Sequence, residues 1–285
     1  MSNDAILVTG AASGVGRSTA AMLLARGYHV IVTDVDAPAL SAAFPGGSST
    51  RALVADLAAP GEVEALVAEV KRVLRAEDWA LRGVALVAGI SWAAPSLLAD
   101  EELVRRTMQV NALAPYTLIR GLFAELERAP NGGRIVVVSS LAGCIPQAWC
   151  CGYSMSKAAV ESMCDCIRFE LEAVGSSVSI TSLLPALIDT PLLDRRLAGE
   201  ASRWSASPFF PPLKRFVDGI ARMRPSRQTL TPELVAARII TVLTASRRAP
   251  AREVVVRSGA LAVRLIAALP DPWRDWFRRQ AIDRG

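Results

Sequence analysis

Residues 5–16 read AILVTGAASGVG. An apolar run, AILV at 5–8, leads into a turn holding Gly10, Gly14 and Gly16, and a helical pattern follows over 15–26. A short buried strand that turns on glycines into a helix is the opening of a βαβ unit. The glycines answer a physical need. A pyrophosphate has to approach backbone N–H groups at a helix N-terminus, and Cβ atoms would obstruct it. Ser13 and Val15 complete the same turn.

Working outward, the rhythm repeats. Further Val- and Ile-rich runs occur at 29–33, 51–55, 84–88, 134–139, 178–184 and 253–256. Helical patterns lie between them at 61–76, 100–128, 153–174 and 232–246. Strands without polar alternation suit a parallel sheet covered on both faces. Alternation of strand and helix predicts a doubly wound α/β fold with right-handed crossovers. One stretch departs from the rhythm. Between LLPALIDTP (183–191) and Pro232 there is no strand pattern, and SPFFPPLKRF (207–216) carries three prolines expected to break any long helix. A long insertion of this kind, about 191–230, reads as a lid over a binding site.

Composition narrows the class. The chain has 285 residues, 52% hydrophobic and 21% charged, enough for a large core. No apolar run is long enough to span a bilayer, and the N-terminus lacks the pattern of a secretory signal, so a cytoplasmic protein is expected. The five cysteines (144, 150, 151, 164 and 166) show no C-x-x-C spacing. With His29 the sole histidine, no metal site is expected and the thiols read as reduced. The net charge of +5 comes from the last third, which is rich in arginine, while residues 1–193 are acidic on balance. The arginine-rich part reads as a solvated surface or as a face for an acidic substrate or an anionic membrane. No nucleic-acid motif is present, so no nucleic-acid partner is expected.

The second strand ends at Asp34. A carboxylate there accepts hydrogen bonds from a ribose 2′-hydroxyl and repels a 2′-phosphate. No Arg or Lys stands at 35 or 36 or within the glycine turn, so NAD is favoured over NADP. Asp56, after the third strand, reads either as an adenine contact or as a helix N-terminal carboxylate.

Candidate chemistry collects at element boundaries. Ser139 and Ser140 end the run RIVVV, where side chains of a parallel strand meet the ligand crevice. Asn111 interrupts an apolar helical pattern, so it is either structural or part of a polar network. YSMSKAA (153–159) puts Tyr153 and Lys157 one helical turn apart on one face. A free phenol titrates near pH ~10, too high for proton exchange at neutrality. A neighbouring cation favours the phenolate and lowers that value.

These residues together resemble the short-chain dehydrogenase/reductase family. The matching stretches are TGAASGVG (9–16), Asp56, VN (110–111), SS (139–140), YSMSK (153–157) and LLPALIDTP (183–191). The resemblance implies a single Rossmann-type domain over 1–285 with a seven-stranded parallel sheet. It implies an alcohol dehydrogenase or ketone reductase in which Ser140, Tyr153 and Lys157 form the catalytic triad. Asn111 would be the fourth member, holding a water-linked proton relay behind Lys157. It places Leu57, Ala88, Gly89, Pro185, Ile188 and Thr190 beside the cofactor, with Thr190 at the nicotinamide carboxamide. It also implies a homodimer or homotetramer paired through 100–128 and 153–174. Two departures stand out: Leu86-Val87 where the family carries Asn-Asn, and Ala186 where it carries Gly after Pro185.

For the substrate, Leu192, Leu193, Trp204, Phe209, Phe210 and Phe216 from the insertion suggest a large apolar alcohol or ketone. Ile145, Trp149, Ile188 and Trp92 add to that surface. The C-terminal part is similar to hydroxysteroid and retinol dehydrogenase-like members, which implies a steroid, retinoid or lipid-like substrate. The tail, about 259–285, is Leu-, Trp- and Arg-rich and suits either packing or a membrane surface. Two other readings stand beside this one: a nucleotide-binding scaffold or redox sensor without turnover, and the same chemistry with NADP.

Overall fold

The computed structural model describes residues 3–130, 132–193, 201–224, 229–245 and 250–257. The tail at 259–285 and parts of the predicted lid lie outside the described residues.

Seven strands form one parallel sheet in the order β3-β2-β1-β4-β5-β6-β7. They are β1 (Asp4–Thr9), β2 (His29–Asp34), β3 (Thr50–Val54), β4 (Ala80–Leu86), β5 (Arg134–Val138), β6 (Ser179–Pro185) and β7 (Arg252–Val255). The order reverses between β1 and β4, which opens a crevice at the carboxyl ends of those two strands.

Alternate side chains of each strand feed separate cores. Ala5 and Leu7 of β1 join Ile135 and Val137 of β5 on the face covered by α3 (Glu62–Ala76), α5 (Ala114–Glu127) and α6 (Cys151–Ala173). Ile6, Val8, Val136 and Val138 face the other way, against α1 (Gly14–Leu24) and α8 (Pro232–Leu243). This is the two-residue period of a strand buried on both sides. Each fully buried Leu, Ile or Val of these faces contributes about 1.5–3 kcal/mol relative to exposure.

Three features refine the sequence-based expectations. The pattern over 100–128 is two helices, α4 (Glu101–Met108) and α5, joined by a π-helical turn at Gln109–Leu113. Pro115 accounts for the break. It has no N–H, so the α-helical bond to the Asn111 carbonyl cannot form, and Ala114 N–H reaches back to Gln109 O instead. The strand expected at 84–88 begins earlier, at Ala80. The prolines of the insertion start a helix rather than preclude one. Pro211 and Pro212 occupy the first turn of α7 (Phe210–Met223), where a helix needs no N–H donors. A short helix, α2 (Ala37–Ala43), went unread in the sequence; Asp36 caps it by accepting from Ala39 N–H at 3.0 Å.

Candidate active site

The turn after β1 is closed by contacts that tolerate no side chain. A Cβ on Gly16 would stand 2.1 Å from Gly10 O, so the two arms of the turn touch through backbone. Gly10 has φ +69°, and its Cβ would lie 2.9 Å from Ala88 Cα at the end of β4. Helix α1 therefore starts against the crevice. Its N-cap, Ser13, makes no side-chain capping bond, and the first turn holds no carboxylate. Arg17 N–H makes the first intrahelical bond, to Ser13 O at 3.1 Å, ahead of which stand the N–H groups of Gly14, Val15 and Gly16. These residues line a cleft of about 1650 Å³. An uncapped helix N-terminus on a cleft is a site for an anion.

At one end of the cleft, Asp34 closes β2. Its Oδ2 accepts from Ala12 N–H at 2.9 Å and its Oδ1 from Asp36 N–H at 3.1 Å. Each carboxylate oxygen keeps a lone pair for a further donor. Asp56 and Leu57 follow along the wall, and Arg106 faces Asp56 at 3.7 Å. Ala88, Gly89, Pro185, Ile188 and Thr190 line the remaining walls, with Ala186 among them. The Leu86-Val87 departure leaves the neighbouring backbone N–H groups paired. Thr9 Oγ1 accepts from Val87 N–H at 2.9 Å and Ala88 N–H at 3.0 Å, while Leu86 is buried in the core.

At the other end stand the groups with proton chemistry. Tyr153 and Lys157 lie on α6, buried, with Nζ 5.7 Å from the phenol ring centroid. Lys157 Nζ donates to Val138 O at 2.8 Å, which fixes the ammonium below the end of β5. Burial pushes the lysine down to about 8, partly opposed by the Glu161 carboxylate. Ser140 caps a 3₁₀ turn, its Oγ accepting from Ala142 N–H at 3.2 Å. That leaves the hydroxyl hydrogen for another acceptor.

Asn111 does not line the cleft. It sits in the π turn behind Gly89, where an added Cβ would be 3.3 Å from Asn111 Oδ1 and 3.7 Å from Lys157 Nζ. Its amide is fully engaged: Oδ1 accepts from Ile90 N–H at 2.8 Å, and Nδ2 donates to Ile90 O and to Ser156 Oγ, both at 2.9 Å.

The residues present fit a dinucleotide. The uncapped N-terminus suits a diphosphate, the Cβ-intolerant turn suits close approach, and Asp34 at the end of β2 suits a ribose. Of the apolar residues expected around the substrate, Ile145, Ile188, Leu192, Leu193 and Phe216 line the cleft. Trp92, Trp149, Trp204, Phe209 and Phe210 do not. Trp92 is a buried packing residue whose indole donates to Thr107 Oγ1 at 2.7 Å, and Trp149 stacks edge-on against Phe209. Sequence reasoning missed Thr9, Glu161 and the arginines of α7. Glu161 was findable, because it repeats the four-residue step from Tyr153 to Lys157.

Comparison with known proteins agrees with this geometry. The family model for the short chain dehydrogenase matches residues 4–201. Dehydrogenase/reductase SDR family member 7B of Mus musculus is 29% identical over 212 residues, covering 72% of this chain and 64% of that protein. Probable oxidoreductase EphD of Mycobacterium tuberculosis is 32% identical over 199 residues, 66% of this chain and 31% of that protein. The chain thus spans less than two thirds of the length of these relatives. A short chain dehydrogenase/reductase from Burkholderia phymatum, solved in complex with NAD, shares the fold with a TM-score of 0.74 at 23% identity, over 94% of each chain. The match over residues 4–201, on a sheet of this order with Tyr153 and Lys157 at its crevice, makes this chain a member of the short-chain dehydrogenase/reductase family.

Proposed function

We propose that the protein is an NAD-dependent oxidoreductase that interconverts a secondary alcohol and a ketone on a largely apolar substrate. The observation that carries this reading is the placement of Tyr153, Lys157 and Ser140 at one end of a cleft whose other end holds the α1 N-terminus and Asp34. A nicotinamide dinucleotide, when bound, supplies or accepts the hydride.

The chain's own residues manage the proton. Ser140 holds the substrate oxygen through the hydrogen that its capping role leaves free. Tyr153 exchanges a proton with that oxygen. Lys157, held by Val138 O, lowers the cost of the phenolate. The Asn111 carbonyl, deprived of its α-helical donor by Pro115, accepts from a water that links Lys157 to solvent. Asp34 receives the ribose hydroxyls, and the NAD held by the Burkholderia phymatum relative supports the same choice here.

Exposed Leu113, Tyr116, Met155 and Phe169 on the π turn, α5 and α6 support pairing of two copies through those helices. The five free thiols suit a cytoplasmic setting.

The test is a screen of steroid, retinoid, aliphatic and aromatic alcohols and ketones with NAD or NADP, following the reduced cofactor by absorbance, with Tyr153→Phe as control. Turnover with NAD that the control loses is the expected result. Cofactor binding without any turnover would instead favour a scaffold.

A further inference from the structure

Helix α7 roofs the cleft with an apolar face that carries cations. Pro212, Phe216, Ile220 and Met223 line the cleft at helical spacing, and Arg215 and Arg222 line it beside them. Phe216 packs with Ala142, Cys150 and Tyr153, so the neighbouring Arg215 belongs to the half of the cleft over the phenol. Arg222 lies two turns on. There Arg224 pairs with Asp189 at 2.7 Å, next to Thr190 and the start of α1.

The charges around Arg215 do not cancel it. Lys214, on the outward face of α7, pairs with Asp218 at 2.7 Å, whereas Arg215 has no ion pair or hydrogen bond among the described residues. Among the described residues, the carboxylates lining the cleft are Asp34, at the end of β2, and Asp56, just past the end of β3, and Asp56 already faces Arg106. The residues lining the cleft along with Tyr153 include Leu141, Ile145, Pro146, Leu192 and Leu193, with Ser140 and Gln147 as polar members. An exposed guanidinium stands at the mouth of a largely apolar chamber, and no described residue supplies it with a counter-charge there. Its planar fork donates paired N–H bonds to a carboxylate, sulfate or phosphate oxyanion. At the rim, such an anion keeps part of its hydration while the apolar body is buried.

Building on the oxidoreductase reading, we infer that the substrate is an amphipathic anion: an apolar body with its alcohol carbon at Tyr153 and a terminal oxyanion received by Arg215. A neutral sterol or retinoid would leave that exposed guanidinium to water and make no use of it.

The experiment uses secondary (ω−1)-hydroxy fatty acids of roughly six to fourteen carbons, a series within the size range of ligands that protein pockets bury, and their methyl esters. Binding to the full chain with NAD or NADP present is read by tryptophan fluorescence, and turnover is read separately by cofactor absorbance. In the wild type the best acid binds about tenfold or more tighter than its ester. Arg215→Gln brings that ratio close to one, and Lys214→Gln, which alters an outward-facing cation, leaves it unchanged. Equal affinity for acid and ester in the wild type, a ratio that survives in Arg215→Gln, or no binding of either probe overturns the proposal. Arg215-dependent binding of the acid without hydride transfer upholds the anion site and sinks the oxidoreductase reading. Turnover with no preference for the acid does the reverse. Melting temperatures of the two variants matching the wild type exclude a folding defect as the cause.

Discussion

Glu161 lies one helical turn beyond Lys157 on α6, with its Oε2 held by Arg252 Nε at 2.8 Å and by Ser182 Oγ at 3.1 Å. The carboxylate is 5% exposed, and its Oε1 has no hydrogen-bond partner. Burial lowers Lys157 to about 8, and Glu161 is the main influence opposing that fall. Asp165 and Arg252 complete the charged neighbourhood, while the Cys164 thiol is pushed up by burial and stays neutral. The ammonium is thus present below about pH 8 and lost above it, and on the proposed mechanism the support for the Tyr153 phenolate goes with it.

Glu161→Gln is therefore expected to move the alkaline limit of kcat/KM to lower pH, because the lysine loses its cation sooner. A pH–rate profile of both proteins checks this, and superimposable profiles would refute it. Arg252 is 45% exposed, so the weakened pair costs stability by about 1–3 kcal/mol, less than a fully buried pair would. Urea unfolding of the variant measures that cost.

Tyr153→Phe removes one oxygen from a buried ring that packs with Ala142, Cys150 and Phe216. The ring's packing survives, so the fold and the dinucleotide affinity should persist. Loss of a positioned proton donor lowers kcat by about 10²–10⁴-fold. Steady-state kinetics beside a cofactor titration separate the two effects. A variant that keeps more than a tenth of wild-type kcat would remove Tyr153 from the proton path.

On the proposed reading Asp34 has two duties, and Asp34→Ala exposes both. The ribose loses an acceptor and a 2′-phosphate loses a repelling charge, so the NAD-to-NADP affinity ratio should fall about tenfold or more. The N–H groups of Ala12 and Asp36 lose their acceptor, which costs about 1–3 kcal/mol unless water replaces it. Dissociation constants for both cofactors and a thermal melt test the pair of effects. An unchanged ratio would mean that discrimination resides elsewhere in the cleft.

The sheet was legible because its inner strands are largely apolar on both faces and alternate with longer helical patterns. Ser140, Tyr153 and Lys157 were legible because they sit at the ends of such elements, where the crevice had to be. The π turn was not. Its cause, Pro115, lies inside a pattern that is otherwise helical, and periodicity alone does not register a missing N–H. The roof was misread for a related reason. Proline weighs against a helix interior but favours its first turn, and only the location of α7's start decides between these. Thr9 and Glu161 act through contacts across the sheet or along a helix, and their partners are fixed by tertiary packing.

Gly16→Ala sets two magnitudes against each other. Gly16 lies within α1 without a left-handed φ, so helix propensity alone predicts that alanine would stabilise by about 0.5–1 kcal/mol. Its Cβ, however, would stand 2.1 Å from Gly10 O and 2.6 Å from Gly10 C, which are backbone atoms that cannot rotate away. Overpacking of this kind costs about 1–3 kcal/mol or more, so the steric cost wins. Relief requires the turn to open, which withdraws the α1 N–H groups from the cleft. Gly16→Ala should accordingly lower both the melting temperature and the dinucleotide affinity. Gly61→Ala is the matched control. Gly61 also borders a helix, has φ +79° and has nothing within 4 Å of an added Cβ. That change costs only backbone strain, about 1 kcal/mol, and leaves dinucleotide affinity intact. If Gly16→Ala binds the dinucleotide as tightly as Gly61→Ala does, the contact between Gly16 and Gly10 does not shape the site.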